Sequence, residues 1–288
     1  MTEERINNEA KVAFQGARGA FSEDAARQLL GENTETLPCR TFDEMFAAVL
    51  SREADCAVAP IENSLAGSVH KNYDLLMEHN LTIIGETNVG IAHNLIALPG
   101  VGLAEIRRAH SHPVALAQCE RFFRANPQIE AEPAYDTAGS VKIVIERGDR
   151  QQAAIAGATA AEVYGAEIVA RNIEDNPANF TRFLLLTRPD RVGSIMPAGS
   201  SERKTSIVFR VANQPGSLFR ALAVFSLRDI DMTKIESRPI QGRPWEYSFY
   251  LDVAGDQKEP KLERALAHLG EMTESIRVLG SYPRAKQS

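Results

Sequence analysis

Short apolar runs alternate with helical periodicity through the first two-thirds of this chain, and that alternation limits the available folds more than any other feature. Residues 11–16, KVAFQG, read as a strand ending in glycine, and TLPCR, DCAVAPIEN and LTIIGETNVG read as three more. Between them, apolar residues recur every three to four positions: Phe42, Phe46 and Val49 after the capping box Thr41–Glu44, then Val69, Tyr73, Leu76 and Met77. Ser22 reads as the N-cap of the first helix. Strand–helix–strand alternation of this kind predicts a mostly parallel sheet with helices on its faces. The pattern then repeats: RRAHSHP, IEAEPAYDT, QQAAIAG and EIVARNI are strands, with helical stripes Leu116, Cys119, Phe123 and Val141, Val144, Ile145 between them. FTRFLLLTR is the most apolar strand of all. The expectation is an α/β fold of two lobes over residues 11–190, the chain crossing between lobes near 86–93 and again near 176–181. In such sheets ligands bind at the carboxyl ends of strands, near the crossovers.

Residues 191–203 hold prolines, glycines and serines with little periodicity and read as a linker. Residues 204–283 are self-contained: KTSIVFRVAN, a helix with Leu218, Leu222 and Phe225 on one face, DMTKIESRPI, WEYSFYLDVAG, a helix with Leu262, Leu266 and Leu269, then SIRVLGSY. The order βαββαβ predicts a small ferredoxin-like unit.

A net charge of −6 argues against a nucleic-acid partner, which needs a basic face to displace counterions. No apolar run approaches the ~18 residues of a membrane span. The N-terminus, MTEERINNEA, is polar, and Cys39, Cys56 and Cys119 are three, far apart and outside any C-x-x-C, so reduced thiols in a cytoplasmic protein are expected. No G-x-S-x-G elbow, H-E-x-x-H or P-loop occurs, which removes the main support for hydrolase, zinc-protease and NTPase readings.

Four polar clusters sit where apolar strands end. The glycine loop with Arg18 and Gly19 is either an anion-binding turn or a tight strand-to-helix connection, and lacks G-x-G-x-x-G spacing. Pro60 to Ser68 brings Glu62, Asn63 and Ser64, of which the last two could donate to a carboxylate or hydroxyl. His110 and His112 alternate but have no further ligands spaced to hold a metal, so His112 is expected to orient a loop or donate one hydrogen bond. Asp136 and Thr137 cap a helix whose start could also face an anion.

Together QGARGAFSE, PIENSLAGSV, SHPVALAQC, YDTAGS, NFTRFLLL and ESRP make the chain resemble the prephenate dehydratase family over about residues 11–282. The resemblance implies a two-lobed, periplasmic-binding-protein-like catalytic part and a C-terminal ACT domain that binds L-phenylalanine as feedback inhibitor. It implies assembly as dimers or tetramers, prephenate as substrate, and no cofactor or metal. About ten residues precede the first strand, so a single activity is expected, without the chorismate mutase some relatives carry. The family's Thr-Arg-Phe motif stands here as Thr181, Arg182 and Phe183, its threonine being the essential group.

The chemistry sets roles for these residues. Prephenate loses its ring carboxylate as CO2 and its ring hydroxyl as water. Thr181 is expected to polarise the leaving oxygen, the proton arriving through water, Glu62 or His112. A cation on the departing carboxylate would favour the ground state, so Arg182 is expected to grip the surviving pyruvyl carboxylate, or else to bond Glu62 or a loop carbonyl. By resemblance Asn213, Gly216, Ser217, Leu218 and Phe219, with Glu236, Ser237, Arg238 and Pro239, shape the phenylalanine site. The alternatives are arogenate dehydratase, or a non-catalytic two-lobed binding protein.

Overall fold

The structure is a computed structural model that describes residues 10–285; the polar stretch 1–9 lies outside the described residues. In the first lobe, β1 (Val12–Gln15), α1 (Phe21–Leu30), β2 (Thr36–Cys39), α2 (Phe42–Leu50), β3 (Cys56–Asn63), β4 (Gly67–Ser68), α3 (His70–Glu78) and β5 (Thr82–Gly90) follow one another. The chain then enters a second sheet through β6 (Asn94–Ala97), β7 (Arg108–Ser111), α4 (Pro113–Ala117), α5 (Glu120–Ala125), β8 (Glu130–Pro133), α6 (Thr137–Arg147), β9 (Gln152–Ala156), α7 (Ala158–Tyr164) and β10 (Glu167–Ala170). It returns to the first sheet as β11 (Phe180–Thr187).

The sheets are mostly parallel, as expected, but mixed: on each five-strand path one strand runs against the other four. The first sheet runs β2-β1-β3-β11-β5, and the returning β11 inserts antiparallel to both β3 and β5. The second runs β10-β6-β9-β7-β8, with β6 antiparallel to its neighbours. β6 was not visible in the sequence pattern, because all four of its residues are buried and show no alternation. The first helix is also capped differently: Ala20 is its N-cap, and Ser22 sits inside the first turn.

The C-terminal unit has the expected order: β12 (Arg203–Arg210), α8 (Ser217–Ser226), β13 (Met232–Ile240), β14 (Arg243–Ala254), α9 (Pro260–Met272) and β15 (Ser275–Pro283). Its sheet is antiparallel, β13-β14-β12-β15. One face packs on α8 and α9 through Ile207, Phe209, Phe225, Leu251, Leu262 and Leu269. The other packs directly on the first lobe, where Val208, Tyr250, Leu279 and Tyr282 share a core with Ile61, Tyr73, Leu76, Ile83, Leu184 and Leu186. The approach is close enough that a Cβ on Gly280 would overlap the carbonyl oxygen of Ile83.

Strand parity decides which side chains see which layer. On β11, Leu184 and Leu186 face the C-terminal unit, while Phe183 and Leu185 face the core under α1. On β3, Ala57 and Ala59 share the former face, Cys56 and Val58 the latter. At Ile61 the register slips: Arg182 pairs with Glu62 but Phe183 with Pro60. This β-bulge inverts the parity of β3 beyond it.

Candidate active site

Between the lobes lies a cleft of about 590 Å³, a size suited to a small ligand. It opens at the carboxyl ends of β1 and β3 and the start of β11. Phe21, Phe42, Val69, Ile91 and Phe183 form its apolar walls; Asn63, Ser68, His93, His112, Gln118 and Thr181 are polar groups on its surface. Among the described residues no lysine or arginine lines it. The first turns of α1 (Phe21, Ser22) and α6 (Thr137) open on it from opposite lobes. Their N–H groups lack intrahelical partners and carry the positive end of the helix dipole, so the cleft can receive an anion without a basic side chain.

At the centre, Asn63 Nδ2 donates to Thr181 Oγ1 at 2.9 Å and to Asn179 Oδ1 at 2.8 Å. Its Oδ1 accepts the N–H groups of Leu65 and Ala66, at 3.0 and 2.8 Å, which fixes the amide orientation. Thr181 Oγ1 is therefore the acceptor toward Asn63, and its own O–H remains to be donated elsewhere. The network extends behind the cleft: the buried Asn179 donates to Gln118 Oε1 at 3.0 Å, and His93 Nε2 stands 2.9 Å from that same oxygen. His93 must donate there, so it is the Nε2–H tautomer. Burial lowers its pKa, which keeps the ring neutral. Gln118 and His93 were missed from sequence; Gln118 lies at the end of the quoted SHPVALAQC run, but no local pattern separates a polar helix-end residue from one aimed into a cleft.

The other expected residues divide. His112, Asp136, Thr137 and Phe183 line the cleft with Asn63 and Thr181. Asp136 accepts from Gly139 N–H as the N-cap of α6. His112 Nδ1 accepts from Val114 N–H at 3.2 Å, leaving Nε2 as its protonated nitrogen when neutral. His110 turns the other way, toward Gln152 and Glu132, so the two histidines do not converge.

Five expectations are corrected. Arg182 points through the sheet, away from the cleft, as alternation with Thr181 and Phe183 requires: Nε meets Glu86 at 2.7 Å and Nη2 meets Asp252 at 2.7 Å. Glu62 also faces the C-terminal unit, 3.0 Å from Lys234 Nζ, because the bulge at Ile61 turns Asn63 rather than Glu62 inward. Ser64 bonds backbone, donating to Ala178 O at 3.1 Å and accepting from Phe180 N at 3.0 Å, so it pins the start of β11. Gly19 donates its N–H to buried Glu23 at 2.6 Å instead of to an anion. Its φ of +80° and the 2.6 Å from an added Cβ to Ala160 Cα explain the glycine: here the lobes touch. Arg18 lies 3.7 Å from Glu23 and lines, with Arg40, Lys142 and Tyr164, an adjoining recess that shares Gly16, Tyr135 and Asp136 with the cleft.

In the C-terminal unit, alternation along β13 splits the second motif. Glu236 faces the first lobe, bonded to Ser68 and 3.4 Å from His70, and Arg238 grips Asp74 at 2.8 and 3.0 Å. These are half-buried links between domains, not surface pairs. Ser237 and Pro239 face outward. Leu218 packs into the unit's own core, whereas Phe219 is exposed. Gly216 is the N-cap of α8 with φ +80°, Ser217 accepts from Arg220, and Asn213 precedes them in the loop. Arg210 and Arg238 both pair with Ser248, so the loop after β12 and the end of β13 emerge at the same end of the sheet.

Two α/β lobes around a mostly apolar cleft with a few convergent donors, carrying a βαββαβ unit behind, define a two-lobed α/β protein with a cleft sized for a small molecule. The family models agree: the prephenate dehydratase model matches residues 12–191 and the ACT domain model residues 205–271. The chain belongs to the prephenate dehydratase family. It is 45% identical over 282 residues to arogenate dehydratase/prephenate dehydratase 2, chloroplastic, of Arabidopsis thaliana, covering 95% of this chain and 72% of that protein. The solved prephenate dehydratase of Arthrobacter aurescens in complex with L-Phe shares the fold, with TM-score 0.85, 34% identity, and 95% and 90% of the two chains covered. The structure of GqqA, described as a novel type of quorum quenching acylase, is similar at TM-score 0.85 and 39% identity over 95% of this chain and 98% of that one.

Proposed function

We propose that this protein catalyses the decarboxylative dehydration of prephenate to phenylpyruvate, a hydro-lyase reaction of L-phenylalanine biosynthesis. The single observation carrying the reading is the Asn63-oriented hydroxyl of Thr181 in the cleft. As the ring carboxylate departs as CO2, its bonding pair flows through the ring and expels the hydroxyl. Thr181 donates to that oxygen; a proton from solvent completes the water, with His112 Nε2–H placed to donate a hydrogen bond in the cleft. Glu62, paired with Lys234, is left out of this route. A cleft without arginine or lysine suits a reaction whose departing carboxylate must lose its charge, since a cation there would stabilise the ground state. The pyruvyl carboxylate is assigned to the helix starts at Ser22 and Thr137. Nucleophilic hydrolysis is disfavoured, because the partner of Thr181 is an amide donor and not a base.

Arogenate is a second substrate, favoured by the names of the curated plant relatives. Incubation with each compound, reading phenylpyruvate by absorbance and phenylalanine by chromatography, tests both; no product from either would overturn the proposal. L-Phenylalanine is the proposed effector of the C-terminal unit, supported by the A. aurescens complex. Exposed Phe219, Leu227, Ile235 and Trp245 on that unit support self-association as a dimer or tetramer, which light scattering would read. Three free, buried thiols suit a cytoplasmic setting. Among the described residues no helix is long and apolar enough to cross a membrane.

A further inference from the structure

Behind Thr181, four charges are buried together where the two domains meet. Arg182 of β11 and Glu86 of β5 come from the first lobe; Lys204 of β12 and Asp252 of β14 come from the C-terminal unit. Their side chains are 13, 3, 9 and 11% exposed. Every carboxylate oxygen is engaged. Glu86 Oε2 accepts from Arg182 Nε at 2.7 Å and Lys204 Nζ at 3.0 Å, and Oε1 accepts from Lys204 Nζ and from Ala285 N at 3.1 Å. Asp252 Oδ2 meets Arg182 Nη2 at 2.7 Å, and Oδ1 accepts from Ser206. Tyr282 OH stands 2.6 Å from Ser206 Oγ and accepts from Arg182 Nη2 at 3.1 Å. The quartet is neutral, and neither domain completes it alone.

The backbone makes this tether matter. At the bulge the ladder between β11 and β3 is interrupted beside Arg182, and the facing Pro60 has no N–H to offer. Thr181 and Arg182 stay paired with Asn63 and Glu62 on one side and with Val89 and Asn88 on the other, so the two residues move as one segment on the cleft side of the slip. One side chain of this dipeptide enters the cleft and the other is held by the C-terminal unit.

We propose that Arg182 is a positioning residue, anchored by Asp252 and Tyr282 of the C-terminal unit, through which that unit sets the placement of the Thr181 hydroxyl and so governs turnover. This deepens the proposed dehydratase reading and rests on it. It differs from a carboxylate-binding role for Arg182, because the anchor lies in the other domain and acts through the backbone. A shift of the C-terminal sheet on ligand binding moves Asp252 and Tyr282, and reaches the cleft without a change in its walls.

The test uses the full chain. Asp252→Asn removes one negative charge; Asp252→Asn with Lys204→Met restores neutrality while leaving Arg182 only the Tyr282 hydroxyl of its anchor. The expected result is that the double variant regains the melting temperature lost in the single one. Its kcat stays about tenfold low, with KM within about twofold of wild type. Phenylalanine still binds, by calorimetry, but no longer inhibits. Amide hydrogen exchange at 180–183 is faster by about tenfold than in wild type. Tyr282→Phe, which removes one hydroxyl, gives smaller changes in the same direction and serves if the double variant does not fold. A folded variant with wild-type kcat, inhibition and exchange would reduce the quartet to structural glue and overturn the proposal. Exchange needs no substrate, so a wild type that dehydrates neither prephenate nor arogenate sinks the functional reading and leaves this comparison standing.

Discussion

Asn63 shows how much one amide can decide. Its oxygen is held by two backbone N–H groups and its nitrogen faces Thr181, so the direction of the threonine proton follows from hydrogen-bond polarity alone. Asn63→Asp would put an acceptor beside Oγ1 and draw that proton away from the substrate; kcat should fall by about 10²–10³, the usual loss when one oriented donor is removed. Thr181→Ser should keep a measurable rate while Thr181→Val loses it, as steady-state assays of both would show. A second residue-scale prediction concerns Asp24. Burial pushes its carboxyl up to about 6, against the lowering effect of a hydrogen bond from Thr159 of the other lobe. A raised carboxyl favours the fold when protonated: that contribution is full below the unfolded value, about 3.9, and lost as pH rises through about 6. Asp24→Asn should therefore raise the melting temperature at about pH 7.5, with the difference fading by about pH 5, in thermal melts across that range. The identity of the cleft residues was partly legible. Asn63, Thr181, His112, Asp136 and Thr137 stand where apolar runs break into polar residues. Arg182 misled because adjacency in a motif was taken as adjacency in space, which a strand forbids.

At the scale of elements, strand–helix alternation and apolar periodicity revealed both lobes and the βαββαβ unit, but direction and pairing escaped them. Nothing in FTRFLLLTR says that this strand returns antiparallel between β3 and β5; a strand buried on both faces reads the same in either direction. Glu62 was misplaced for a related reason, since a bulge leaves no local mark in an apolar strand. The glycine turn between β1 and α1 was legible as a tight connection, while its true neighbour, α7 of the other lobe, was not. Gly19→Ala tests that neighbour. With φ at +80° and Ala160 backbone at 2.6 Å, an added methyl must strain the turn or part the lobes. Overpacking of this kind costs roughly 1–3 kcal/mol. A lower melting temperature together with a raised KM is the expected outcome.

For the whole molecule, the C-terminal unit is a wall of the structure as much as an appendage. It shares a core with the first lobe and supplies half of a buried charge quartet. Burial would raise the Asp252 carboxyl, but Arg182 and Lys204 hold it below the usual carboxylate range, so its stabilisation is present above the unfolded value and lost in acid. Removing one partner from such a group typically costs about 3–5 kcal/mol. A chain ending near residue 200 should therefore melt well below the full protein or aggregate, by light scattering, although its own family match ends at residue 191. Gly280→Ala, whose methyl would meet the carbonyl of Ile83, should loosen docking and blunt the response to phenylalanine.

The surplus residue at Ile61 gives β3 an unusual tolerance. The strand can change its chemistry but not its irregularity, because a regular pairing over the same residues would exchange the audience of each side chain after it. Drawn regular, with the bulge lost and no residue removed, the same sequence would show its glutamate to the substrate and hide its asparagine behind the sheet.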